Sequence, residues 1–323
     1  MPRQIHVGLA RGGSSARAVV RGGWGSAAGL FGKRDEASRP GPMSLSVADD
    51  GSLLILDQVN RRVVRYDEAG QLLAQIPIAS EATEDIVSSG EQLFALVCEG
   101  GASPGYRIER YLGGHGGQTL ELDRAIQLAT GLFVTGDAAA PDLWVEQRHD
   151  IQTRVLAAGR PLAPAEQQHA ELGRPDRGHD GQRLSALRTG PNRARVLQVV
   201  PGESAPPPYP GAPPEREDRS ARLRLEVSTA LPLVAIQELE TDRQGRLFLG
   251  LLVGHEGPDG LEQARKLMLV VERGAHQVVP LFVERITDVF RPVAVGPDGQ
   301  IYQLQTTEEG VTVWRWELAG GDA

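Results

Sequence analysis

Short apolar runs, each closed by turn residues, set the pattern of this chain. Between Pro40 and Ile78 four of them follow in order: MSLSVA, LLILD, RVVRYD and LLAQIPI. They are rich in Val, Ile, Leu and Tyr and bounded by Gly, Asp and Asn, which marks β-strands joined by tight turns. Asp50-Gly51 is a strong hairpin signal. Asp67-Glu68-Ala69-Gly70 supplies the turn before the fourth run, where glycine takes a positive φ at no steric cost. The stretch predicts one four-stranded antiparallel sheet.

Weaker copies follow at intervals of about 40 to 60 residues. A second sheet is predicted from about Thr83 to Asp123, and a third from Ala129 with an unclear fourth strand over PLAPAEQQHAEL. The fourth is the most degraded, with two or three strands before LRLEVS closes it. The fifth is VAIQELETD, RLFLGLLVG, KLMLVVERG and QVVPLFV, interrupted by an insertion over residues 253–265. The sixth, PVAVGPDG, IYQLQTT and VTVWRWEL, has only three strands. Near the N-terminus ARAVVRGG, about residues 16–23, is a strand candidate with no neighbour to pair with. Adding it to the sixth sheet removes two exposed edges. Residues 1–15 are expected to be flexible. PGESAPPPYPGAPPEREDRSA, residues 201–221, is too rich in proline for a central strand and is expected to be an extended loop.

Asp50 to Gly70, DGSLLILDQVNRRVVRYDEAG, resembles the NHL repeat, a blade of a β-propeller. Asp57, Asn60, Arg62 and Val63 fall on its D-x-x-N-x-R-V core, beside Arg61. The preceding GWGSAAGLFGKRDEASRP resembles the family's lead-in; no strand-turn-helix follows it, so it is not a nucleotide-binding loop. Only the second strand and its turn recur clearly, at Asp242 to Leu249 and Gly296 to Gln303. The resemblance implies an all-β fold, a six-bladed β-propeller of four-stranded antiparallel blades. Residues 1–323 then form a single domain, its ring closed by the strand at about 16–23. It also implies that the polar residues of the core brace a turn.

Composition narrows function without choosing it. The net charge is -8 and no basic patch stands out, so nucleic acid is not an expected partner. No run approaches the roughly 20 apolar residues of a membrane helix. The single cysteine, Cys98, excludes an intrachain disulfide and reads as a core residue beside Glu99. Lysine occurs only at Lys33 and Lys266, which suggests a bacterial protein from a GC-rich genome. Extracytoplasmic placement, with a signal peptide absent from this chain, is the expectation.

Propeller enzymes place ligands at the starts of the innermost strands. One approximate column there reads Ser44, Glu84, Val134, Arg174, Glu238 and Pro292. It brings Glu84, Asp85, Arg174, Glu238, Glu240 and Arg291 to the channel mouth as candidate binding residues. No catalytic residue, metal ligand or cofactor is assigned. Trp144, Trp314 and Trp316 are expected to pack. Two readings stay open. One is a non-enzymatic protein-interaction scaffold, part of a larger assembly. The other is a metal-dependent, lactonase-like hydrolase or lyase, with Glu84 and Glu238 sharing an ion. An Arg174–carboxylate bridge across the mouth would favour the scaffold.

Overall fold

The computed structural model describes residues 3–8, 15–100, 105–147, 151–168, 170–179, 181–199, 222–258, 260–272 and 275–318. The proline-rich segment 201–221 lies outside them. Six sheets form in chain order, apart from two N-terminal strands, β1 (Arg3–Val7) and β2 (Ala16–Gly22). Blade one is β3 (Pro42–Val47), β4 (Leu53–Asp57), β5 (Arg62–Tyr66) and β6 (Leu72–Pro77). Blade two is β7 (Thr83–Ser89), β8 (Gln92–Glu99), β9 (Gly105–Leu112) and β10 (His115–Glu121). Blade three is β11 (Ala129–Asp137), β12 (Ala140–Gln147), β13 (Ile151–Ala157) and β14 (Arg160–Pro161). A 3-10 turn over Pro164–Gln168 follows, then β15 (Ala170–Leu172), which returns to pair with β13. PLAPAEQQHAEL thus supplies both a helical turn and an edge strand.

Blade four is β16 (Arg174–Pro175), β17 (Arg183–Gly190), β18 (Arg193–Val199) and β19 (Arg222–Thr229). Blade five is β20 (Leu233–Thr241), β21 (Leu247–Gly257), β22 (Gly260–Glu272) and β23 (Ala275–Leu281). Its insertion is a continuation of the β21–β22 ladder, with Gly257 opposite Gly260. Blade six is β24 (Val293–Val295), β25 (Ile301–Thr307) and β26 (Gly310–Trp316), completed by β2, which pairs antiparallel with β26. The fold is therefore a six-bladed β-propeller closed by the N-terminal strand. Within it β24 lies against β3, β3 against β7 and β7 against β11, so the first strands of blades six, one, two and three are innermost, while β17 of blade four lies against β20 of blade five.

The expectation for residues 1–15 needs correction. Residues 3–7 form β1, a fifth strand running parallel to β19 on the outer edge of blade four. Ile5 and Val7 are 3% and 1% exposed, and that alternation, too short to stand out in the sequence, holds β1 in place.

Most of the core lies between blades. Apolar clusters join blades four and five, two and three, six and one, one and two, and five and six. Among the described residues the joint between blades three and four is of another kind. The Arg183 guanidinium stacks 4.3 Å from the centroid of Trp144, and Arg174 lies 4.0 Å from that of Phe133. Both contacts are cation–π. The other tryptophans pack as expected: Trp314 and Trp316 sit 5.1 and 5.3 Å from the Phe282 ring.

Candidate functional site at the two ends of the channel

Alternation along six innermost strands decides which side chains meet near the axis. Their first residues surround one end, here the entrance; their last residues and the following turns surround the other, the exit.

At the entrance the candidate residues divide into separate pairs. Asp85 is fully buried. Its carboxylate accepts from Ser44 Oγ at 2.5 Å and from the Leu132 N–H at 2.8 Å, and lies 2.5 Å from Arg291 Nη2. Arg291 Nη2 also donates to the Leu132 carbonyl at 2.7 Å. Arg291 precedes blade six and Leu132 belongs to blade three, so this side chain reaches between opposite blades. Burial pushes the Asp85 carboxyl above its ordinary range, against the pull of Arg291 and the hydrogen bonds. The second group centres on Arg174, whose Nε and Nη2 each donate to a Glu146 oxygen at 2.7 Å, a bidentate pair. Nη1 donates to the Leu239 carbonyl at 2.7 Å and lies 3.6 Å from Glu240. Burial works against the Arg174 charge, but Glu146, with Glu240 and Glu238, more than offsets it and raises the pKa.

Glu238 and Glu84 do not share a site. Glu238 lies over Gly250 within blade five and pairs with Lys266 at 2.8 Å. A Cβ on Gly250 would stand 1.8 Å from Glu238 Oε2, so the glycine makes room for this buried carboxylate. Glu84 is the extra residue of a bulge in β7, between Thr83 and Asp85. Its charge acts on Cys98 and Tyr106 of its own blade. Burial, with Asp85 next, pushes the Glu84 carboxyl up; burial, with Glu84 next, takes Tyr106 to about 12. The Glu84 charge thus acts within blade two, and Glu238 is ion-paired within blade five. Among the described residues no group of three or more His, Cys, Asp or Glu is arranged to hold a metal ion.

The exit end opens into a basin of about 700 Å³. The ends of the innermost strands and the turns after them line it, with Asp49, Asp137, Asp142, Glu171, Asp176 and Asp242 against Arg154, Arg177, Arg183 and Arg243. Most of these charges are paired. Arg243 reaches from the blade-five turn to Asp49 of blade one at 2.6 Å, Arg183 meets Glu171 at 2.8 Å, and Arg154 meets Asp142 at 3.3 Å. Asp176 accepts from Arg224 at 2.9 Å and faces His179 at 3.2 Å. Asp242 braces its own turn through the Gln244 and Arg246 N–H groups. Burial lowers the Arg183 pKa against the pull of Glu171.

Sequence reasoning missed this basin because it followed the strand starts, whereas the basin lies at the strand ends. It also missed Glu146 and Lys266. A charged residue directly after the apolar run LWV was a usable signal for Glu146. Lys266, one of two lysines, sits between Arg265 and a five-residue apolar run.

No family model matches the chain, and no curated protein does. Solved structures similar to it include a hydrazine synthase of Kuenenia stuttgartiensis (12% identity, TM-score 0.48, covering 86% of this chain and 76% of that one). The soluble aldose sugar dehydrogenase of Escherichia coli is another (11%, 0.48, 94% and 99%). A virginiamycin B lyase of Staphylococcus aureus is a third (9%, 0.45, 95% and 99%).

Proposed function

We propose that the chain is a single NHL-type propeller domain acting as a non-enzymatic protein-interaction platform within a larger extracytoplasmic bacterial assembly. The observation that carries this reading is the Arg291 side chain, which crosses from blade six to Asp85 of blade two and Leu132 of blade three. It fills the entrance end between these blades with protein groups. Glu146 is taken by Arg174 and Glu238 by Lys266. A buried carboxylate already neutralised by a guanidinium or ammonium attracts a cation less strongly than an unpaired one. The exit basin adds a mixed-charge surface on rigid turns, suited to a partner's polar segment.

Titration calorimetry with Ca²⁺ and with Zn²⁺, followed by lactone and ester hydrolysis assays, tests the reading. Neither stoichiometric uptake nor turnover is expected. One equivalent of bound metal that is lost in both Glu84→Gln and Glu238→Gln would overturn it in favour of a lactonase-like hydrolase.

A further inference from the structure

The exit basin is lopsided. Blades three and four supply most of the residues that line it, so it extends into the joint between them. Among the described residues that joint has no apolar cluster to fill it. Trp144 forms part of the wall, with Arg154 and Arg183 at 5.4 and 4.3 Å from its ring centroid. The volume, about 700 Å³, falls within the roughly 300–1,000 Å³ typical of small-molecule sites.

The charged groups on this side are of two kinds. Arg154, Arg183 and Asp176 already have counter-ions in Asp142, Glu171 and Arg224. Asp137, which ends β11, and Arg177, which follows β16, are left over. Asp137 is exposed; among the described residues its carboxylate accepts only the Ala139 N–H, at 2.8 Å, and joins no ion pair. Arg177 is exposed too, and its Nη1 lies 3.6 Å from Glu240, a carboxylate shared with Arg174 at the same distance. A third group is also unspent. Ser88 Oγ of blade two belongs to a residue lining the same basin, and it is buried with no hydrogen-bond partner among the described residues. A buried hydroxyl left unpaired costs free energy that a bound ligand's polar group recovers.

One anionic, one cationic and one neutral hydrogen-bonding group therefore border a single cavity. A purely anionic ligand is repelled by Asp137 and a purely cationic one by Arg177; a ligand that carries both charges satisfies both. We propose that the basin at the joint of blades three and four binds a zwitterionic ligand, an amino acid or short peptide with free ends, its ammonium at Asp137 and its carboxylate at Arg177. This site goes beyond the platform reading and can fail without it, since the platform is read from a co-purifying polypeptide and the site from a small molecule.

Isothermal titration calorimetry on the full chain tests it with alanine, dialanine and trialanine, which sample three separations of the two charges. Each is used with free ends, N-acetylated and C-amidated. Saturable binding of at least one free-ended compound is expected, and either cap should weaken it about tenfold or more. In Asp137→Asn the acetyl cap should no longer matter. In Arg177→Gln the amide cap should no longer matter, while Arg177→Lys keeps the discrimination. Both side chains are exposed, so melting temperatures of the variants should match the parent's. Absence of saturable binding by every free-ended compound overturns the proposal. So does binding indifferent to both caps, or a cap effect that survives in its matching variant.

Discussion

Asp57, Asn60 and Arg62 show what single residues do in this fold. Asp57 is fully buried and accepts from the Gly32 N–H, Asn60 Nδ2 and Arg62 Nε, at 3.0, 2.8 and 2.9 Å. Arg62 donates onward to the carbonyls of Ser26, Ala27 and Leu30. The trio braces its turn, as the NHL resemblance implies, and also grips the segment that leads from blade six into blade one. Asp57→Ala leaves the Arg62 guanidinium without its carboxylate, and urea unfolding should show a loss of about 3–5 kcal/mol.

Glu84 makes the opposite prediction. Its pKa is raised above 4.5, so the folded state holds the proton more tightly than the unfolded chain does. The stability this contributes is complete below pH 4.5 and is lost as pH rises through the folded value. Glu84→Gln should therefore raise the melting temperature at pH 7 and leave it nearly unchanged at pH 4. An equal shift at both pH values would mean that its charge is not the cause.

Among elements, the joints between blades differ most. Five are apolar; the joint between blades three and four relies on guanidinium–aromatic stacks and the Arg174–Glu146 pair. Polar joints open more readily than packed ones because little apolar surface holds them shut. Native-state hydrogen exchange should show β12 and β17 exchanging faster than β4 and β8, and Arg183→Ala should widen the gap. At the closure, the Gly70 turn has φ of 85° and stands where a Cβ would lie 1.6 Å from the Val19 carbonyl. Gly70→Ala should loosen β2 and cost more than the ~1 kcal/mol of an unstrained glycine replacement.

The legible elements were those whose pattern is local. Blade one was readable because its alternation, turns and polar core all fall within 39 residues. The partner of β2 was found by counting strands. β1 stayed hidden because two apolar residues among polar ones have no meaning until β19 lies beside them. The bulge at Glu84 in β7 was equally invisible in sequence, because a register shift shows only once β8 lies beside it.

At the scale of the whole molecule, one end of the channel is crossed by protein side chains and the other is an open charged basin. Arg291 is the residue that makes the difference. Arg291→Ala leaves the buried Asp85 carboxylate without its counter-ion, with only the Ser44 and Leu132 hydrogen bonds, and should destabilise the ring by about 3–5 kcal/mol. Arg174, Arg291 and Asp85 of the candidate set act here as internal cross-braces, while the exit turns surround the open basin.

The native mass of the protein recovered from its own source, with identification of every co-purifying chain, tests the platform reading most directly. The account predicts an assembly in which a second polypeptide is present in fixed ratio and is released by charge reversal at Asp49 and Arg243. Recovery of this chain with no other polypeptide, carrying one equivalent of Ca²⁺ or Zn²⁺ and hydrolysing a lactone, would contradict it.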